Sequence, residues 1–153
     1  IGGWQMNGIL QLQSGNPFTI NVSGDLANIG APNNNTNRAN LVPGQSVQLD
    51  RDLRTTARWF NTAAFATPAS FTYGNLGRNT VEGPGLVSLD ASLSKNFPIT
   101  EKVRGQFRGE FFNLPNHPNF SVPARAVNTP QFGTVTSQRT SARQIQLGMK
   151  LVF

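Results

Sequence analysis

The last dozen residues, Ala142 to Phe153, constrain the fold more tightly than any other stretch. From Ile145 onward the odd positions are Ile145, Leu147, Met149, Leu151 and Phe153, and the even ones are Gln146, Gly148, Lys150 and Val152. Alternate side chains of a strand share a face, so a period of two writes one apolar face and one mostly polar face. The sequence closes on the bare aromatic Phe153, whereas termini of water-exposed domains are ordinarily polar and frayed.

Three earlier stretches repeat the pattern. Trp4, Met6, Leu10 and Leu12 fall on one face with Gly2 and Gly8, opposed by Gln5, Asn7, Gln11 and Gln13, with Ile9 as the apolar intruder. Gly15-Asn16-Pro17 interrupts, and Phe18, Ile20 and Val22 resume the alternation. This predicts one long strand over about 2–22 with a bulge near Gly15. In 86–97, Val87, Leu89, Ala91 and Leu93 oppose Ser88, Asp90, Ser92 and Ser94. In 103–114, Val103, Gly105, Phe107, Gly109 and Phe111 oppose Arg104, Gln106, Arg108, Glu110 and Phe112. Pro98-Ile-Thr-Glu-Lys102 joins these two runs, which predicts a β-hairpin.

The intervening segments, 23–85 and 115–141, lose the alternation. Ala31-Pro-Asn-Asn-Asn-Thr-Asn-Arg-Ala-Asn is turn chemistry without a core face. Pro115, Pro118, Pro123 and Pro130 deny the second segment a regular ladder. Connections this long usually carry function or are disordered. The aromatics of 23–85 predict packing rather than free motion, with one short helical turn in Trp59–Phe65. Phe132–Thr136 is expected to extend the last strand. The predicted fold class is therefore all-β: an antiparallel meander of about four long amphipathic strands (2–22, 86–97, 103–114, 142–153) with two long loops, in a single unit spanning 1–153. The 13% charged residues, 15 Gly and 10 Pro agree, being poor in helix formers and rich in turn formers.

The distribution of charge points to the environment. Asp90, Arg104, Arg108, Glu110 and Lys150 all fall on polar faces, and are expected to form a polar wall in which Asp90, Arg104, Arg108 and Glu110 are ion-paired. Lys95, near a strand end, is the lone charge on the apolar side. Arg or Lys facing lipid at mid-membrane costs about 2–4 kcal/mol, so a wall touching lipid needs this segregation. Strands of about 10–12 residues cross a bilayer when tilted, whereas soluble strands average about half that. Connections that run long, short, long match the extracellular loops and periplasmic turns of outer-membrane barrels. The chain is thus expected to derive from the closing end of such a barrel. The expected apolar contact face comprises Trp4, Met6, Leu10, Leu12, Val87, Leu89, Leu93, Val103, Phe107, Phe111, Ile145, Leu147, Met149 and Leu151.

As a set, the landmarks resemble the C-terminal end of TonB-dependent outer-membrane receptors of the type with a carboxypeptidase-regulatory-like N-terminal domain. They are Gly2-Gly-Trp-Gln, Ser14-Gly-Asn-Pro-Phe-Thr, Trp59-Phe-Asn-Thr-Ala-Ala-Phe, Gly74-Asn-Leu-Gly-Arg-Asn and Gly83-Pro-Gly. Leu89-Asp-Ala-Ser-Leu-Ser-Lys-Asn-Phe, Phe111-Phe-Asn-Leu-Pro-Asn-His-Pro-Asn-Phe and Arg143-Gln-Ile-Gln follow in order. The resemblance implies a 22-stranded barrel with a plug, energised from the inner membrane, that imports large nutrients. It also implies that Phe153 is a C-terminal aromatic signal for barrel insertion.

Catalytic chemistry finds little support, and no cofactor or metal is expected. His117 lies between two prolines, and with no Cys and no second His it cannot complete a zinc site. No Gly-x-Ser-x-Gly elbow is present. Asp90 and Glu110 share their face with Arg104 and Arg108, which favours ion pairing over acid–base work. Gly74-Asn-Leu-Gly and Gly83-Pro-Gly do not follow a buried strand into a helix, as a phosphate loop requires. The net charge of +6 is scattered through loops rather than clustered with aromatics, against nucleic-acid binding. The sequons at Asn21, Asn34 and Asn119 carry no weight in a bacterial protein.

Four strands cannot close a barrel, since the smallest membrane barrels use about eight. Open edges template pairing with another chain. An apolar face of roughly several hundred Å² demands cover. Three functional expectations follow, the first two non-enzymatic. As a 153-residue molecule beginning at Ile1, a processed product or a piece of something larger, the chain is expected to self-assemble with copies of itself into an oligomer or extracellular fibre. Alternatively it is the closing wall of a TonB-dependent transporter, with the missing strands, the plug and lipid as partners. A soluble carbohydrate-binding β-domain, stacking sugars on Trp4 and Trp59, is third. The expected location is the bacterial outer membrane or the extracellular space.

Overall fold

Alternation over ten residues is realised first in β1, Trp4–Gln13, which is exposed along its whole length. In this computed structural model residues 2–30 and 37–153 are described, so Ile1, the heart of the Asn-rich turn stretch and the Asn34 sequon lie outside the described residues. The chain continues through two-residue strands β2 (Pro17–Phe18), β3 (Asn40–Leu41), β4 (Phe65–Ala66) and β5 (Val81–Glu82). The long strands β6 (Leu86–Pro98), β7 (Arg104–Phe112) and β8 (Gln144–Val152) follow. Contacts divide it into two compact units. One comprises Ile1–Ser14, Gly85–Asn119 and Gln138–Phe153, the other Gly15–Pro84 and Phe120–Ser137.

The first unit is the antiparallel meander: β1, β6, β7 and β8 pair in that order. Ile99-Thr-Glu-Lys-Val103 closes the β6–β7 hairpin, with the Ile99 and Thr100 amides donating to the Val103 carbonyl at 2.9 and 3.1 Å. Thr100 Oγ1 in turn accepts from the Val103 amide at 3.1 Å. Val103, expected on the apolar strand face, therefore belongs to the turn. Turn hydrogen bonds outrank alternation there because the backbone must reverse.

In the second unit the aromatics of 23–85 pack, as expected. Phe18, Ile20, Ala39, Phe60, Ala64, Phe65, Leu76 and Val81 form a buried core, with Val47, Trp59, Val127 and Phe132 packed against it. Phe60 is its hub, meeting Phe18, Phe65 and Phe132 edge-on at ring-centroid distances of 6.0, 5.6 and 5.2 Å. That is the geometry favoured by ring quadrupoles. The expected helical turn is a 3-10 turn over Thr62–Ala64, where the Asn61 side chain accepts from the Ala63 amide.

Two strand boundaries move as a result. The predicted strand over 2–22 ends at Gln13, and its continuation pairs elsewhere, β2 against β5. A Cβ on Gly15 would collide with the Gly83 carbonyl, so glycine permits this close crossing. Phe18 and Ile20 join the second core, Ile20 fully buried, and Val22 is buried as well. Phe132 likewise joins this core instead of extending β8. Alternation reports that one face is covered, not by what.

Candidate functional site

Strand register decides whether four amphipathic strands make one surface. Residues paired across an antiparallel ladder point the same way. Met6 pairs with Leu93, Leu93 with Gly109, and Gly109 with Leu147. The next row runs Gly8, Ala91, Phe111, Ile145, and on the turn side Trp4, Lys95, Phe107, Met149. Leu10 with Leu89 and Leu12 with Val87 extend the face at one end, and Phe97, Gly105 and Leu151 close it at the other. A one-residue slip in any ladder would have put that strand's apolar residues on the opposite side. Apart from Val103, every residue expected on the apolar contact face stands on this one surface, which is bare: Met6 is 81% exposed and Leu147 65%.

From Val87 to Phe97 the face is about 34 Å long at roughly 3.4 Å per residue, or about 24 Å tall at a 45° tilt. That matches the apolar band of about 25 Å around a barrel. Gly105 lets the Phe97 ring lie flat across β7, where a Cβ would come within 2.6 Å of ring atoms. The ring thereby covers backbone that glycine leaves bare.

The opposite face carries the polar series. Gln106 Nε2 donates to Asn96 Oδ1 at 2.9 Å, and Arg108 Nη1 lies 3.5 Å from Glu110 Oε1. The latter, with Arg108 about half exposed, contributes at most about 1 kcal/mol. The expected four-residue ion-pair wall is reduced to this contact. Asp90 Oδ1 instead accepts the Asn113 amide at 2.8 Å and the Ser88 hydroxyl at 3.4 Å. Arg104 stands opposite Pro98 and Val152, with no carboxylate across from it. Glu110 pairs in register with Ser92, not Asp90.

Charge is instead sorted along the strands. A hollow of about 160 Å³ is lined by Asn7, Ile9, Asp90, Ser92, Glu110 and Phe112, among others. Nearer the turn, Gln106, Arg108, Gly148 and Lys150 border a second hollow of about 280 Å³.

Sequence reasoning missed the asparagines that finish the sheet. β6 is longer than its partner, so above Ala91 its β7-side backbone groups need other partners. The Leu114 amide donates to the Leu89 carbonyl at 2.8 Å. Asn119, 1% exposed, serves Val87 twice. Its Oδ1 accepts the Val87 amide at 2.8 Å and its Nδ2 donates to the Val87 carbonyl at 2.9 Å. The Asn113 Nδ2 donates to the carbonyls of His117 and Ser141, and Asn116 Oδ1 accepts the Arg143 amide. Asn113 and Asn116 adopt positive φ, which asparagine tolerates better than most residues. The signal was present as Asn113-Leu-Pro-Asn-His-Pro-Asn119, but its partners lie far away in sequence.

Other candidates are engaged structurally. His117 Nδ1 lies 3.3 Å from Asn119 Oδ1. Trp59 Nε1 donates to the Glu82 carbonyl, and its ring meets Phe120 edge-on. The Trp4 ring has Lys95 Nζ 4.7 Å from its centroid. Trp4 itself stays 51% exposed. Phe153 is 91% exposed at the end of the sheet. Among the described residues, no three His, Cys, Asp or Glu side chains gather to hold a metal, and no helix is long and apolar enough to cross a membrane.

A family model described as an outer membrane beta barrel domain matches residues 1–146. No curated protein and no solved structure matches.

Proposed function

This chain belongs to the outer membrane beta barrel domain family, and from that premise we propose that it is a stretch of wall in a TonB-dependent uptake receptor. The outer membrane is its location. The observation that carries the reading is the unbroken register of the apolar face across β1, β6, β7 and β8, with polar groups on the other side. Lipid covers the first face, and the second lines the interior through which a large nutrient passes. β1 and β8 are the outer strands of the sheet, and further barrel strands pair with them. The role is mechanical and not catalytic. The resemblance to receptor C-termini supplies the uptake class, and with it a plug as partner and Phe153 as the insertion signal. The intact mass of the polypeptide carrying this sequence, taken from an outer-membrane fraction, tests the reading. A mass large enough for about 22 strands and a plug is expected. A mass near that of these 153 residues alone refutes it.

A second reading is favoured by the same two outer strands, each exposed along its length. Copies of the chain pair edge to edge and cover one another's apolar faces, giving an oligomer or an extracellular fibre. Large β-rich assemblies in plain buffer are its expected outcome. A monodisperse monomer by light scattering eliminates it.

A further inference from the structure

A single charge interrupts the apolar face. Lys95 pairs in register with Trp4 on β1 and Phe107 on β7, and its Nζ lies 4.7 Å from the Trp4 ring centroid. Phe97, two residues on, covers Gly105. The position is three residues short of the end of β6 at Pro98, about 10 Å along the strand at roughly 3.4 Å per residue. A lysine is costly facing hydrocarbon at the midplane and tolerable at headgroup level, where its stem can carry the ammonium outward. The flanking aromatics mark that same level, since Trp and its neighbours form the girdle of a barrel.

The indole occupies one side of the ammonium, and the remaining N–H donors need acceptors. The apolar rows of the four strands contain no acidic side chain, because Asp90 and Glu110 stand on the other face. At headgroup depth the acceptor of matching charge is a phosphate. We infer that Lys95, flanked by Trp4 and Phe107, binds the phosphate of a phospholipid headgroup. The acyl chains then lie along Met6, Leu93 and Leu147. This rests on the outer-membrane location and not on the uptake reading, so it stands or falls separately from the intact-mass experiment.

Native mass spectrometry of the full polypeptide carrying this sequence, released from detergent micelles carrying phosphatidylglycerol, reads the site directly. The wild type is expected to retain phosphatidylglycerol. Lys95→Gln should retain about tenfold less, the loss appropriate to one charged hydrogen bond, and Lys95→Arg should keep it. Diacylglycerol with the same acyl chains, lacking the phosphoglycerol headgroup, should bind the wild type about tenfold more weakly by the same reasoning, a comparison that needs no variant to fold. Equal retention by Lys95→Gln, or equal binding of diacylglycerol, overturns the inference. Displacement of the lipid by inorganic phosphate at the same concentration overturns it too, making the site one for free phosphate.

Discussion

Placing one lysine at three positions on β8 tests the two-faced wall most directly. Leu147 lies in the third of six apolar rows counted from the turn, beside Gly109, so it sits near mid-height of the band. A lysine facing hydrocarbon there costs about 2–4 kcal/mol. At about 1.4 kcal/mol per tenfold, Leu147→Lys should lower the folded, inserted fraction by about 30- to 700-fold. Gln146 is the adjacent residue on the opposite face, paired with Glu110. Gln146→Lys keeps its charge out of lipid and gains a carboxylate neighbour, so its expected change lies within about 1 kcal/mol of zero. Leu151 shares the apolar face in the row nearest the turn, paired with Gly105. Leu151→Lys should therefore cost about 0–1 kcal/mol, as interface positions do. The full polypeptide carrying this sequence is reconstituted into phosphatidylcholine vesicles, titrated with urea, and scored by the gel mobility of unboiled samples. The expected order of damage puts Leu147→Lys far ahead of the other two. Equal damage from Gln146→Lys would refute the assignment of faces. An inert Leu147→Lys would show that nothing apolar covers the surface at all.

Asn119→Ala removes both contacts to Val87 and leaves that backbone pair unsatisfied, so a loss of about 2–4 kcal/mol is expected in urea unfolding, with faster amide exchange at Val87. Unchanged exchange would show that Asn119 does not finish the sheet. Phe60→Ala empties the hub of the second core and should destabilise that unit by about 3–5 kcal/mol. Trp59 reports this as a red shift in emission, and an unshifted spectrum at full unfolding cooperativity counts against the aromatic core. Gly105→Val drives a side chain into the Phe97 ring and should cost about 1–3 kcal/mol in the same urea assay, whereas Gly148→Ala, facing open space, should be neutral.

How much was legible follows from how far apart the interacting residues lie. The period of two in Trp4–Gln13, 86–97, 103–112 and 144–152 is a local property, because each side chain's face is fixed by its neighbours along the strand. The sequence by itself therefore determined the four wall strands, their faces, the hairpin between β6 and β7, and the exclusion of charge other than Lys95 from the apolar side. It could not say what covers an apolar face. Phe18 and Ile20 alternate as Leu10 and Leu12 do, yet they are buried in a core completed by Phe60, Leu76 and Val81 from dozens of residues away. Asn119 and Val87, 32 residues apart, carry no mark of each other in the sequence. Asp90 likewise takes its strongest partner from the Asn113 backbone and not from the arginines whose spacing suggested ion pairs. Tertiary structure alone decided these points, because hydrogen-bond satisfaction and core packing depend on which distant segments meet, whereas strand parity depends only on the next residue along.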